Sequence, residues 1–205
     1  ELVTRLRSID ASFVPAAFRD STSPIGRGGI VAVSEDVGDA EDARGTLRTA
    51  LASSGVLDAL GGSIAGARVA VKTCFMMTYD RRDKSPHVRA DLLDELVSLL
   101  LGRGAREVVV LEAPNHFDRF FEHRDVATIA RYAGLDLGPW TIVDASADQV
   151  PHRYRRGIGQ STLARAWRDA DVRISFGKMR THPSWLVHLT LDTVECLGKR
   201  IEELL

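Results

Sequence analysis

The sequence predicts an α/β domain: a mostly parallel sheet in a Rossmann-like, three-layer arrangement with helices on both faces. Three observations predict it. Short apolar runs alternate with stretches of helical periodicity along the chain. The run Glu107-Val108-Val109-Val110-Leu111 is unbroken in its hydrophobicity, as a strand covered on both faces must be. The strand candidates are separated by segments long enough for the crossovers that parallel pairing requires.

In order, residues 1–20 read as an amphipathic arm, with Leu2, Leu6, Ile9 and Phe13 at helical spacing. Ser21 to Gly29 has the composition of a linker. The arm and linker are therefore assigned to 1–28 and the α/β domain to 29–205. Ile30 to Val33 reads as a short strand, and Ala40 to Leu60 as a helix with Ala43, Leu47, Ala50, Leu51 and Leu57 on one side. Arg68 to Thr73 is a strand. Ser85-Pro86 reads as a helix start, with serine as cap and proline in the first turn. Val88, Leu92, Leu96, Leu99 and Leu100 mark its buried face, and Gly102 and Gly104 end it. After the Glu107 strand, a helix is expected from Phe117 to Ala133, stopped by Gly134. Trp140 to Val143 is a fourth strand, Ser161 to Ala170 a helix, Val172 to Phe176 a fifth strand, and Leu186 to Leu205 a last helix.

The totals exclude several functions. The 205 residues carry a net charge of -1, so no global basic field favours nucleic acid or an anionic membrane. No apolar run approaches the roughly 18 residues of a membrane span. The first residues lack the layout of a secretory leader, although the chain begins without Met and an earlier segment stays open. A cytoplasmic location is the expectation, and a homo-oligomer is allowed. Two cysteines, Cys74 and Cys196, are too few for a four-thiolate zinc site or an iron–sulfur cluster. The ordinary reading is two buried thiols in a reducing compartment.

In open parallel sheets, ligands bind beyond the carboxyl ends of the strands. Four of the five strand ends carry clustered polar groups. Lys72 to Cys74 is followed by Asp80 to Asp83, and Glu112 by Asn115 and His116. Asp144 has Ser146 and Asp148 nearby, and Phe176 leads into Gly177-Lys178-Met179-Arg180-Thr181-His182. In an extended chain Lys178, Arg180 and His182 share one side. Their heads suit a phosphate or carboxylate. A solvated basic loop is the alternative. Lys72 ends a buried strand, so it either meets an anionic ligand or pairs with Asp80, Asp83 or Glu112.

The expectation is an enzyme acting on a small anionic metabolite. Lys72, Asn115, Lys178, Arg180 and Thr181 would bind the anion. His182 or His116 would transfer a proton, with Glu112 or Asp144 orienting it. The alternatives are a non-catalytic domain that binds an anion or a partner, and a family member that has lost catalysis. A metal is neither demanded nor excluded, because no H-x-x-x-H motif is present. Nor is there a G-x-x-x-x-G-K-[ST], a G-x-G-x-x-G or a G-x-S-x-G.

Three stretches resemble the family numbered 362 among domains of unknown function. They are Val69-Ala70-Val71-Lys72, Gly104 to Val110, and Ala170 to His182, which is similar to the family's A-D-V-V-I-N-L-P-K-L-K-T-H. Order and spacing hold from about Gly29 to Gly198. The resemblance implies an α/β domain with no settled biochemical role, sometimes attached to iron–sulfur modules. The sequence departs from the pattern in three places. Thr73-Cys74 replaces a Pro-Asn, Arg180 replaces a lysine, and Thr193 to Gly198 lacks the lysine and asparagine of an L-K-N-x-x-G. A fainter similarity, in Asp80 to Pro86 and His116, is to lactate-racemase-like proteins.

Overall fold

Five residues from Arg68, apolar at Val69, Ala70 and Val71, form the first strand of the computed structural model. This model describes residues 31–34, 40–80, 82–83, 85–115, 117–153, 160–182, 186–188, 193–194 and 197–198. Strand β1 (Arg68–Lys72) lies between β2 (Glu107–Glu112) and β6 (Val172–Ser175), and β3 (Thr141–Asp144) flanks β2. The order is β3-β2-β1-β6 and every pairing is parallel, with Val71 opposite both Val110 and Ile174. The fold class is as the sequence predicts.

The two faces of the sheet follow from the period of two along each strand. Val69, Val71, Val108, Val110 and Val172 meet a helical layer. That layer comprises α1 (Ala40–Ser54), α4 (Ala90–Gly102) and α5 (Val126–Ala133), with two single turns, α2 (Val56–Ala59) and α3 (Gly61–Ile64), after α1. Leu93, Leu96, Val97 and Leu100 of α4 and Ile129, Ala130 and Ala133 of α5 fill the space between. Each fully buried valine contributes on the order of 1.5–3 kcal/mol. Arg48 of α1 grips Glu95 of α4 through two hydrogen bonds, of 2.6 and 2.8 Å. Ala70, Val109 and Leu111 face the other way, towards Ala164, Trp167 and Leu197. Among the described residues this face is covered by a single turn, α6 (Arg165–Arg168), with Val194 and Leu197 packed beside it.

Two antiparallel ribbons complete the architecture: β4 (Gln149–Arg153) with β5 (Gln160–Ala164), and β7 (Arg180–His182) with β8 (Leu186–His188). Contacts divide the chain into Glu1–Ala32 and Val33–Leu205. Among the described residues, no helix is long and apolar enough to cross a membrane.

Several expected elements take another form. Residues 31–34 have no regular structure, whereas a strand was expected from Ile30 to Val33. Helix α4 begins at Ala90, not at Ser85-Pro86. Asp83 accepts the Ser85 amide at 2.9 Å and holds the Ser-Pro pair in a turn ahead of the helix. The helix expected from Phe117 splits into a 3₁₀ turn at Asp118–Phe120 and α5. Asp125 caps α5 by accepting the Thr128 amide, and Gly134 ends it at φ 73°, as its sequence position foretells. Ser161 to Ala164 is strand rather than helix, and only Arg165–Arg168 turns helical. Leu186 to His188 is likewise strand where a helix was expected. The expected arm, 1–20, and most of the expected last helix lie outside the described residues.

Candidate functional site

Strands β1, β2 and β3 succeed one another in one direction across the sheet, and β6 returns to the opposite side of β1. The order therefore reverses between β1 and β6, and a crevice beyond the carboxyl ends of the strands at such a reversal is the usual ligand position. The segments leaving β1 and β6 are Lys72-Thr73-Cys74 and Gly177 to His182. They meet where Arg180 Nη2 lies 3.8 Å from Cys74 Sγ.

Lys72 is only 1% exposed and does not present its charge to solvent. Its Nζ donates to Glu112 Oε1 at 2.6 Å and to the Thr73 carbonyl at 2.5 Å. Glu112, 3% exposed, also accepts the Ala113 amide on Oε1 and the Phe75 amide on Oε2, at 2.9 and 2.7 Å. Of the roles open to Lys72, pairing with Glu112 is the observed one. Both side chains bind the backbone that leaves β1 and β2, so they brace the loops at the strand-order reversal. Glu112 has no oxygen left without a hydrogen bond.

Arg180 is different. Its Nε is shielded from water and has no hydrogen-bond acceptor among the described residues. A guanidinium N–H in that position is costly unless an acceptor fills it. Lys178, half-buried, has its pKa lowered by desolvation and then by Arg89, against an opposing effect of Asp83. The other candidates are dispersed. Asn115 is tied into its own loop: its amide donates to Asp118 at 2.6 Å, its Oδ1 accepts the Phe117 amide, and its Nδ2 meets Met77 Sδ. Thr181 is exposed and pairs with Val187. Asp144 accepts the Ser146 amide and hydroxyl on one oxygen, and lines a separate cleft of about 230 Å³ with Arg68, Asp148 and Arg165. His116 and the side chain of His182 lie outside the described residues; the backbone of His182 pairs with Leu186.

Two features escaped the sequence reading. The register of the second ribbon sets His188 across from Arg180, so residues 180, 182 and 188 belong to one face of the ribbon. Only the hairpin register reveals this pairing. The second is Arg124. Its Nε donates to the buried Asp118 at 2.8 Å and its Nη1 to the Thr78 carbonyl at 2.7 Å. Its Nη2 donates to the Met76 carbonyl, and its guanidinium lies 4.2 Å from the Tyr79 ring centroid. Among the described residues no three His, Cys, Asp or Glu side chains converge as a metal shell would.

Burial, and secondarily Glu112, push the Cys74 thiol up to about 11. A thiol held neutral in the fold but ionising near 9 in the unfolded chain stabilises the fold fully below pH 9. That stability is lost as pH rises towards 11. Wild type should therefore lose up to about 2 kcal/mol more than Cys74→Ala between pH 9 and 11. Parallel urea titrations of the two proteins across that range measure the difference, and parallel curves would contradict it.

An α/β domain whose loops after β1 and β6 meet at the strand-order reversal is thus defined by its own geometry. The profile described as Domain of unknown function (DUF362) matches residues 69–191. With more than half of its length matched, the chain belongs to that family. No curated protein and no solved structure matches the chain.

Proposed function

We propose that the protein is an enzyme that binds a small carboxylate or phosphate at the crevice between β1 and β6 and acts on it by acid/base chemistry. The observation that carries this reading is the shielded Arg180 Nε without an acceptor among the described residues. An oxyanion meets that requirement with charge-assisted hydrogen bonds, and Lys178 adds a second positive charge. Desolvation by the surrounding protein strengthens both interactions. Lys72 and Glu112 support the site without touching the anion. His182, in the same ribbon as Arg180, is the proton-transfer residue this reading selects, with His116 as its alternative.

The second reading is a domain that binds an anion without catalysis. Two observations favour it: Glu112 is fully engaged in hydrogen bonds, and burial holds Cys74 as a neutral thiol. Neither is a ready base. Turnover of a substrate that survives alanine at both His116 and His182 would end the acid/base reading and leave the binding one.

Binding is tested by calorimetric titration with inorganic phosphate and with malonate. Arg180→Gln should weaken at least one of them by about tenfold to a hundredfold, the value of a hydrogen bond to a charged group. Equal affinity in the variant would sink the proposal. The pH dependence follows from Lys178. Its positive charge, and the affinity it provides, is present below its lowered pKa and lost as pH rises through it. Affinity should therefore fall at lower pH than for an ordinary lysine near 10.4, and Lys178→Gln should flatten that decline.

A further inference from the structure

The β7–β8 ribbon has two faces, and its register says which residues share them. Arg180 stands directly opposite His188, Thr181 opposite Val187 and His182 opposite Leu186. Directly opposed residues of an antiparallel pair lie on one face, and residues two apart along a strand return to it. Arg180, His182, Leu186 and His188 therefore make one face, and Thr181 and Val187 the other. Thr181 is exposed, whereas Arg180 reaches back to Cys74, on the loop that leaves β1. The face to which His188 belongs is thus the one turned to the strand-order reversal.

An arginine directly across from a histidine does little for the ribbon itself. Once the imidazole is protonated, the two are like charges in opposed positions, which is destabilising. Opposed Cβ atoms stand about 4.5–5.5 Å apart, so neither charge escapes the other. An oxyanion taken up by both reverses the sign, because each charged donor then has an acceptor. Arg180 lacks one: its Nε is shielded from water and meets no acceptor among the described residues.

We infer that His188 shares the anion with Arg180, and that this anion is a phosphate rather than a carboxylate. The inference rests on the anion-site reading and deepens it with a second contact and a ligand class. A guanidinium fork takes both oxygens of a carboxylate in two parallel hydrogen bonds. A phosphate held in the same way keeps a further oxygen for a donor across the ribbon. The cross-strand pair of Arg180 and His188 suits the second ligand, inorganic phosphate or a phosphate monoester.

Calorimetric titration with inorganic phosphate, and its displacement by acetate, tests this. Phosphate should bind the wild type about tenfold tighter than acetate or more, the value of one further hydrogen bond to a charged group. His188→Gln should remove that advantage and leave acetate affinity unchanged. Arg180→Gln/His188→Gln should lose less phosphate affinity than the product of the two single losses, because both residues act on one ligand. Val187→Thr, on the opposite face of the ribbon, should bind phosphate as the wild type does. Unchanged phosphate affinity in His188→Gln overturns the inference and leaves the anion site to Arg180 and Lys178. Fully multiplicative losses overturn it too, since they separate the two residues, as does an equal loss in Val187→Thr, which would mean damage to the ribbon. Acetate bound as tightly as phosphate refutes the phosphate class. If neither anion binds the wild type, the anion site fails and the role of His188 with it.

Discussion

Replacing Lys72 with Met while Glu112 stays in place is expected to destabilise the fold by about 3–5 kcal/mol. The pair is almost dry, with side chains 1% and 3% exposed and a separation of 2.6 Å. Removing the ammonium leaves a carboxylate in the core with two backbone amides to balance it, those of Phe75 and Ala113. It also takes away the donor to the Thr73 carbonyl. Lys72→Met/Glu112→Gln should recover part of the loss, because no unpaired charge remains and the amide oxygen still accepts one backbone N–H, whereas its NH2 cannot accept the second. Urea unfolding of the wild type, Lys72→Met, Glu112→Gln and the double variant gives the cycle. A cost below about 1 kcal/mol for Lys72→Met would mean that water reaches the pair and that the lysine is closer to solvent than its burial indicates. The cycle also separates support from ligand binding: the double variant should retain phosphate affinity if Arg180 and Lys178 carry it.

How much of this was legible in the sequence varies by element, for physical reasons. β1 and β2 were evident because strands buried on both faces must be apolar throughout, and Val69 to Val71 and Val108 to Leu111 satisfy that. The stop of α5 at Gly134 was evident because a left-handed residue is needed there. Errors fell where tertiary contacts outweigh local signals. Ser85-Pro86 looks like a helix start, yet Asp83 holds that segment in a turn. Phe117 to Phe121 has helical spacing, yet Asp118 is drawn inward by Arg124, and the rings it would have buried stay outside. Ser161 to Ala164 pairs with β4, and no property of those four residues alone announces the partner.

The candidate site was legible in location but less so in roles. That strand ends would gather polar groups follows from the parallel sheet. That Lys72 would be committed to Glu112 depends on a register, Lys72 opposite Leu111, which the sequence does not state. The separation of Asp144 from the crevice is of the same kind. It adjoins Glu112 in register, but its carboxylate turns to Ser146. The pairing of Arg180 with His188 needed the hairpin. Sequence proximity suggested a site, and the hydrogen bonds decided which members were available to a ligand.

Arg124→Ala should be the other large effect, about 3 kcal/mol or more, with a local signature the Lys72 variant lacks. The guanidinium serves three partners at once, the buried Asp118 and the carbonyls of Met76 and Thr78, and it stacks on Tyr79. Truncation leaves the Asp118 carboxylate with the Asn115 amide and without its charged donor, and it deprives two carbonyls of this guanidinium. Lysine cannot replace it, because a point charge cannot reach acceptors in three directions; Arg124→Lys should recover less than half of the loss. The approach of Arg124 to these groups uses His123 at φ 58°, a conformation that side-chain-bearing residues adopt at a cost. Hydrogen exchange should show residues 75–79 and 115–121 losing protection together in Arg124→Ala, while the centre of the sheet, Val69 to Val71, changes only with global stability. If the two loops responded independently, Arg124 would not be their common anchor. Joint loosening would mean that one side chain fixes both the segment bearing Cys74 and the turn bearing the three phenylalanines. Anion affinity at Arg180 would then decline in this variant, although Arg124 lies outside the proposed anion contacts.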